Sequence, residues 1–310
     1  MKYIQSNIKK AKKYLNNNNC IGIPTETVYG LAANAYSDKA VKKIFILKKR
    51  PKNNPLIVHY KDINQLKNDC ILNKDFFLLY KKFSPGPLTY VLKLKKKSKI
   101  SKFVTNNKRT LAIRFPKKTL LNKLIKILDY PLAAPSANIS SKLSSVKASD
   151  VFDEFGKKIK YVLDGGKCDV GIESTIINLV KKPTIIRLGG LENSKIKKIL
   201  KKKIKINTNP KKQQFPGQSK LHYSPGIPII MNSQKFIKDG AFLILKKDKN
   251  KNKHVFYLSK NGSLKEAAKN LYSILRQIKK KGYKSISVEK IKNVGLGQSI
   301  NDRLKRASKK

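Results

Sequence analysis

Thr25, Glu26, Thr27 and Tyr29 crowd into the stretch CIGIPTETVYGLAANA, directly behind an apolar run. Pro24 and Gly30 read as backbone punctuation. Four polar side chains in a covered segment are different, because each needs a hydrogen-bond partner. The same arrangement recurs along the chain. KKRPKNNPLIVH holds Lys48, Arg50, Asn54 and His59 around a strand start, and TLAIRFP sets Thr110 and Arg114 four apart, on one face of a strand. APSANIS adds Ser136, Asn138 and Ser140, while GIESTIINL and IIRLGG add Ser174 and Arg187. Cations and hydroxyls dominate this inventory and acids are scarce, which suits a ligand with several anionic groups: a polyphosphate, a carboxylate, a carbonate. Arginine offers a planar fork for such groups and Lys48 a point charge. No carboxylate pair, metal triad or Ser/His/Asp arrangement is evident, so the chemistry rests on positioning and charge stabilisation.

The elements that must position these residues alternate. QSNIKKAKKYL reads as an amphipathic helix and CIGIP as a buried strand. DKAVKKIFILKKR is a helix with Asp38 as its expected cap, followed by the strand PLIVHY, the helix DFFLLYKKF and the strand PLTYVLKLK. TLAIRFP, YPLAAPSAN, YVLDGG, STIINLV and TIIRLGG supply further strands, with helices over KTLLNKLIKIL and ASDVFDEFG. The expected fold is α/β, one large twisted mixed sheet with covering helices over residues 1–200. Residues 201–227, rich in charge, Pro and Gly, read as a linker, and 228–310 as a second, small α/β domain. Polar clusters at strand ends of an open α/β sheet point to one shared pocket. Within the linker, FPGQSKLHYSPG carries His222 and Tyr223 between two Pro-Gly brackets, which suggests a lid.

The chain has 310 residues, 71 Lys plus Arg against 18 Asp plus Glu, and a formal net charge of +53. Such a balance points to nucleic acid or another polyanion. Yet lysine is spread everywhere and travels with Asn and Ile, as in KIKKILKKKIKIN, which reads as compositional drift on solvated faces. Weak RNA binding is the resulting expectation. Cys20, Cys70 and Cys168 lack metal-ligand spacing and are odd in number, against both a disulfide framework and a zinc site. No apolar run reaches the length of a spanning helix and the first residues lack an apolar signal core, so a cytoplasmic protein without membrane contact is expected.

The motifs PTETVYGLAANA, KKRPKNNPLIVH, FSPGPLT, LAIRFP, PSANIS, DGG, ESTIINL, IIRLG, LHYSPG and GLGQSINDRLKRAS stand in this order. Together they resemble the YrdC-like L-threonylcarbamoyladenylate synthase family, in its two-domain form with a C-terminal extension. The resemblance implies a nucleotidyltransferase that condenses ATP, L-threonine and bicarbonate into threonylcarbamoyl-AMP and pyrophosphate. It implies Mg2+ accompanying ATP, and threonylcarbamoyl transferase machinery downstream that modifies tRNA. The family's Lys-x-Arg and Ser-x-Asn signature stands at Lys48, Arg50, Ser136 and Asn138, implied catalytic residues facing the phosphates and the metal. Arg50, Asn54, Thr110, Ser136, Ser144, Arg187 and Tyr223 match ATP-binding positions, with Tyr223 closing over the ligands. Thr27, His59, Arg114 and Ser174 match the threonine site, with Arg114 on its carboxylate. The sequence departs from the family after PSAN, where Ser141 takes a glycine's place, and its second domain is short.

Two other readings compete. A non-catalytic RNA-binding module of the same fold needs only Lys and Arg for backbone contacts, which leaves Thr27, His59, Asn138 and Ser174 unexplained. A carbamoyl-transfer enzyme of the hydrogenase-maturation type would carry zinc-finger regions, and the chain has no Cys-x-x-Cys pair.

Overall fold

A computed structural model describes residues 4–210, 222–235, 237–247 and 252–309. A sheet of twelve strands dominates it, mixing parallel and antiparallel neighbours. The site depends on seven of them. Strand Ile21–Ile23 turns back antiparallel into Gly30–Asn34, with Ile23 opposite Gly30, so the loop PTETVY is the tip of this connection. Ile57–His59 and Thr110–Arg114 run parallel with His59 opposite Arg114. Leu88–Leu94 pairs antiparallel with Thr110–Arg114 and parallel with Thr175–Asn178, which in turn pairs with Thr184–Arg187. These strands are buried along nearly their whole length. That explains why they read as apolar runs and not as alternation.

Gly30–Asn34 was not separable from its neighbours by pattern, because Gly-Leu-Ala-Ala-Asn has neither alternation nor branched residues. The helix over Asp38–Lys48 is capped by Ser37, whose hydroxyl accepts from the Ala40 amide at 3.2 Å. Asp38, the expected cap, sits in its first turn instead, where its charge faces the positive end of the dipole. Part of the expected linker is also sheet, since Lys205–Ile206 pairs parallel with Thr184–Arg187. The first Pro-Gly bracket, Pro216 and Gly217, lies outside the described residues.

A separate sheet of four strands, all parallel, holds Ile229–Ile230, Ser285–Val288, Gly240–Lys246 and Val255–Ser259 in that spatial order. Helix Leu264–Lys280 opens with Ser263 as cap and buries Ala267, Ala268, Leu271, Tyr272, Leu275 and Ile278, one stripe at helical spacing. Helix Leu296–Ala307 packs against it. Among the described residues no helix is long and apolar enough to cross a membrane.

Candidate functional site

The PTETVY tip answers its own polar inventory. Thr25 Oγ1 accepts from the amides of Thr27 and Val28 at 3.1 and 3.2 Å, which fixes the turn. Tyr29 ties the loop to the next layer, its hydroxyl donating to the Gly166 carbonyl at 2.9 Å and accepting from the Gly165 amide at 3.1 Å. Thr27 and Glu26 together hold an arginine. Arg114 donates from Nη1 to Thr27 Oγ1 at 2.8 Å and from Nε to the Gly86 carbonyl at 3.2 Å. Its Nη2 lies 2.8 Å from Glu26 Oε1, an ion pair without the angle of a directed hydrogen bond. Beside it in register, His59 is buried with Nδ1 unpartnered. Burial first, then the Arg114 charge, push its imidazole well below the usual range, so it stays neutral.

A second arginine comes from the neighbouring strands. Arg187 donates from Nε to the Ser174 carbonyl and from Nη2 to Ser174 Oγ, both at 3.0 Å, and Ser174 Oγ also shares a 2.7 Å bond with Thr89. The third, Arg50, follows the helix that ends at Lys48. It donates to the Asn54 carbonyl and Oδ1 at 3.0 and 2.6 Å and to the Pro55 carbonyl at 2.8 Å. Burial and the nearby Arg187 push its guanidinium down to about 9. These residues meet at one cleft, lined by Thr27, Arg50, His59, Arg114, Ser136, Ser174 and Arg187, with Glu173 and His222 completing the wall.

Other expected site residues sit elsewhere. Lys48 does not line the cleft: it is buried beneath it and donates at 2.5 Å to the carbonyls of Ser136 and Asn138. Burial and Arg50 push its ammonium well down. Asn138 clamps its own loop, Nδ2 donating to the carbonyls of Ile139 and Lys142, while its Oδ1 is buried and unpartnered. Lys48 and Asn138 thus shape the segment that presents Ser136. Asn54 serves as the seat of Arg50. Thr110 stands at the opposite end of its strand from Arg114, about 13 Å away at roughly 3.3 Å per residue. Ser144 is turned from the cleft and donates to Glu173 Oε1 at 2.5 Å. Tyr223 does not lie over the cleft either. It is packed inside, stacked on Tyr272 at 5.9 Å, and the neighbouring His222 is the aromatic that reaches the cavity. Burial pushes the His222 imidazole down to about 3.

Reading the sequence missed Glu173 as a lining residue; of the pair His222 and Tyr223, expected to be carried to the pocket together, only His222 lines it. Glu173 adjoins Ser174 inside a quoted motif, and an acid is rare enough in this chain to have marked it. Among the described residues no group of three or more His, Cys, Asp or Glu could hold a metal.

An α/β sheet with two arginines and a neutral imidazole at its strand ends, and a third arginine brought to the same cleft from behind a helix, defines an anion-binding protein. Two family profiles cover the chain, one described as "Telomere recombination" over residues 13–189, the other as "Threonylcarbamoyl-AMP synthase, C-terminal domain" over 191–309. The threonylcarbamoyl-AMP synthase of Pyrococcus abyssi is 34% identical over 97% of this chain and 94% of its own. That of Bacillus subtilis is 32% identical over 97% and 92%. The crystal structure of P. abyssi Sua5 complexed with L-threonine matches with a TM-score of 0.89 at 32% identity, over 98% of this chain and 96% of that one. The chain belongs to the two-domain, YrdC-like threonylcarbamoyl-AMP synthase family.

Proposed function

We propose that the protein joins ATP, L-threonine and bicarbonate into threonylcarbamoyl-AMP, releasing pyrophosphate. The carrying observation is the convergence of Arg50, Arg114 and Arg187 with a neutral His59 on one cleft. Arg114 and Thr27 suit the threonine carboxylate, and His59 offers an uncharged acceptor for its amine or hydroxyl. From the cleft toward Thr110 the sheet face carries Ile57 and Ala112 in register, an apolar floor fit for a planar base, with Asn54 near its start. Arg50 and Arg187 then meet the phosphates.

In this reading the threonine nitrogen bonds the bicarbonate carbon as water leaves. A carbamate oxygen then bonds the α-phosphorus as its bond to the bridging oxygen breaks and pyrophosphate departs. The arginines stabilise negative charge gathering on the phosphates. Mg2+ fits as a companion of ATP: the cleft offers neutral oxygens such as the Ser136 hydroxyl to hold the ion's water, and the described residues include no group of three or more His, Cys, Asp or Glu that would hold it alone. When bound it would neutralise phosphate charge. The mixed anhydride passes to a threonylcarbamoyl transferase acting on tRNA, in the cytoplasm; the three buried, free cysteines suit a reducing compartment. The test is incubation with ATP, labelled bicarbonate and single amino acids. A labelled adenylate that forms only with threonine is expected, and its absence, or equal yield with serine and valine, would overturn the reading.

A further inference from the structure

Glu173 is a cleft-lining carboxylate whose partners come mostly from the other domain. Tyr272, on helix Leu264–Lys280, donates its hydroxyl to Oε1 and Oε2 at 3.0 Å each. Arg303, on helix Leu296–Ala307, donates to Oε2 from Nε and Nη2 at 3.1 Å each and from Nη1 to the Leu188 carbonyl at 2.5 Å. Ser299 donates to the Gly189 carbonyl at 2.9 Å. Backbone meets backbone as well. A Cβ on Gly171, where φ is +76, would lie 2.4 Å from the Lys269 Cα. Arg303, 1 % exposed, also lies 5.1 Å over the ring of Tyr223, the residue after His222.

We propose that Arg303 is a positioning residue of the catalytic cleft, and that the small C-terminal domain therefore braces the site's wall from outside the cleft. One guanidinium fixes Glu173, and through it the Ser144 hydroxyl; it pins the Leu188 carbonyl beside Arg187; and its face seats Tyr223, so that His222 is held on the cavity. Lysine cannot replace it, having one nitrogen where three are used. The proposal deepens the synthase reading by assigning a role to a residue outside the catalytic sheet, and part of its test is independent of that reading.

The chain has three histidines, so imidazole proton signals of the full-length protein can be assigned and followed with pH. His222 faces Glu173, Arg50, Lys48 and Arg187, and is neutral in the native protein. In Arg303→Met the seat of Tyr223 is lost, water reaches His222, and its titration should rise into the window between about pH 5 and 8 while His59 stays silent. Threonine-dependent pyrophosphate release should fall at least about tenfold in kcat. Its pH profile should gain an acidic limb, because burial now governs Glu173 with only Arg187, Ser144, His222, Tyr223 and Tyr272 around it. Arg303→Met/Glu173→Gln should lose that limb and be milder than the product of the two single losses. Since Arg303→Met strands a buried carboxylate and endangers folding, Arg303→Lys keeps the charge and should show the same His222 shift with a smaller loss. A silent His222 in both variants, or single losses that multiply in the double variant, would overturn the proposal. No pyrophosphate release from the native protein would overturn the synthase reading alone, with the imidazole titration still deciding the role of Arg303.

Discussion

Lys48 and Lys280 carry the same ammonium in opposite surroundings. Lys48 is 1 % exposed and spends its donors on two carbonyls at 2.5 Å. The Lys280 side chain is 73% exposed and meets Asp153 at 2.9 Å in solvent. The first belongs with Arg50, Arg114 and Arg187, cations whose every described contact shapes a cleft. The second belongs to a coat of lysine that a net charge of +53 describes well and that says little about chemistry. Placement separates them where charge cannot: water screens the coat, whereas a buried cation and its partners must satisfy one another.

The largest break in that contrast is Arg114→Ala. It should lower kcat/KM for threonine by about 10²- to 10³-fold, because truncating one member of a buried charge pair costs about 2–5 kcal/mol. The sequence alone suggests that such a variant keeps its fold. The ion pair with Glu26 corrects this: a stranded buried carboxylate should lower stability by about 3–5 kcal/mol in urea titration, and adding Glu26→Gln should restore stability but not turnover. Unchanged threonine kinetics would remove Arg114 from the site.

Lys48→Met comes next. It preserves volume and removes the donor, leaving the Asn138 carbonyl without it and the Ser136 carbonyl with the Asn138 amide alone, a loss of about 1–3 kcal/mol read from the denaturation midpoint. Equal stability would place Lys48 with the coat. Arg50→Lys keeps charge and loses the fork that spans Asn54 and Pro55, so KM for ATP should rise about tenfold with KM for threonine nearly constant. Parallel losses for both substrates would make Arg50 structural.

A smaller effect follows from the two cleft imidazoles. Both have folded-state values depressed below the ordinary 6.5. The unfolded chain therefore binds protons first as pH falls below about 6.5, and stability present above that value is lost on acidification. The slope should approach about 1.4 kcal/mol per pH unit for each histidine, before the carboxylates titrate. His222→Gln should flatten the curve between about pH 6.5 and 4.5, and a curve unchanged by it would show that His222 is hydrated. Smallest of all, Lys280→Ala should change stability by less than about 0.5 kcal/mol. Transfer RNA should bind the coat weakly, without preference among RNAs, and release steeply with salt. A tight complex that survives high salt would give the lysines a selected role.

How much of this was legible depends on distance along the chain. Thr27, His59, Arg114, Ser174 and Arg187 all follow apolar runs, so a strand-end reading finds them, and they do line one cleft. Lys48 stands in a run of basic residues that looks solvated, and nothing local marks the one that turns inward. Ser144 and Tyr223 match a family pattern, yet their side chains answer to Glu173, Tyr272 and Arg303. Those partners are tertiary facts. Ser37 was missed as a cap because Asp38 beside it has an equal claim by type, and only backbone geometry decides between them.

The pairing of Glu173 with Arg303 spans 130 residues of chain. During synthesis the residues that line the cleft leave the ribosome well before the arginine that steadies it has been made. Until then Glu173 has no Arg303 to balance it, and protonation or water must serve in its place. The nascent protein can lay down its large sheet early, but its catalytic wall waits on a late delivery. A stalled or truncated translation product would therefore carry the large sheet and its three cleft arginines with Glu173 still lacking Tyr272 and Arg303.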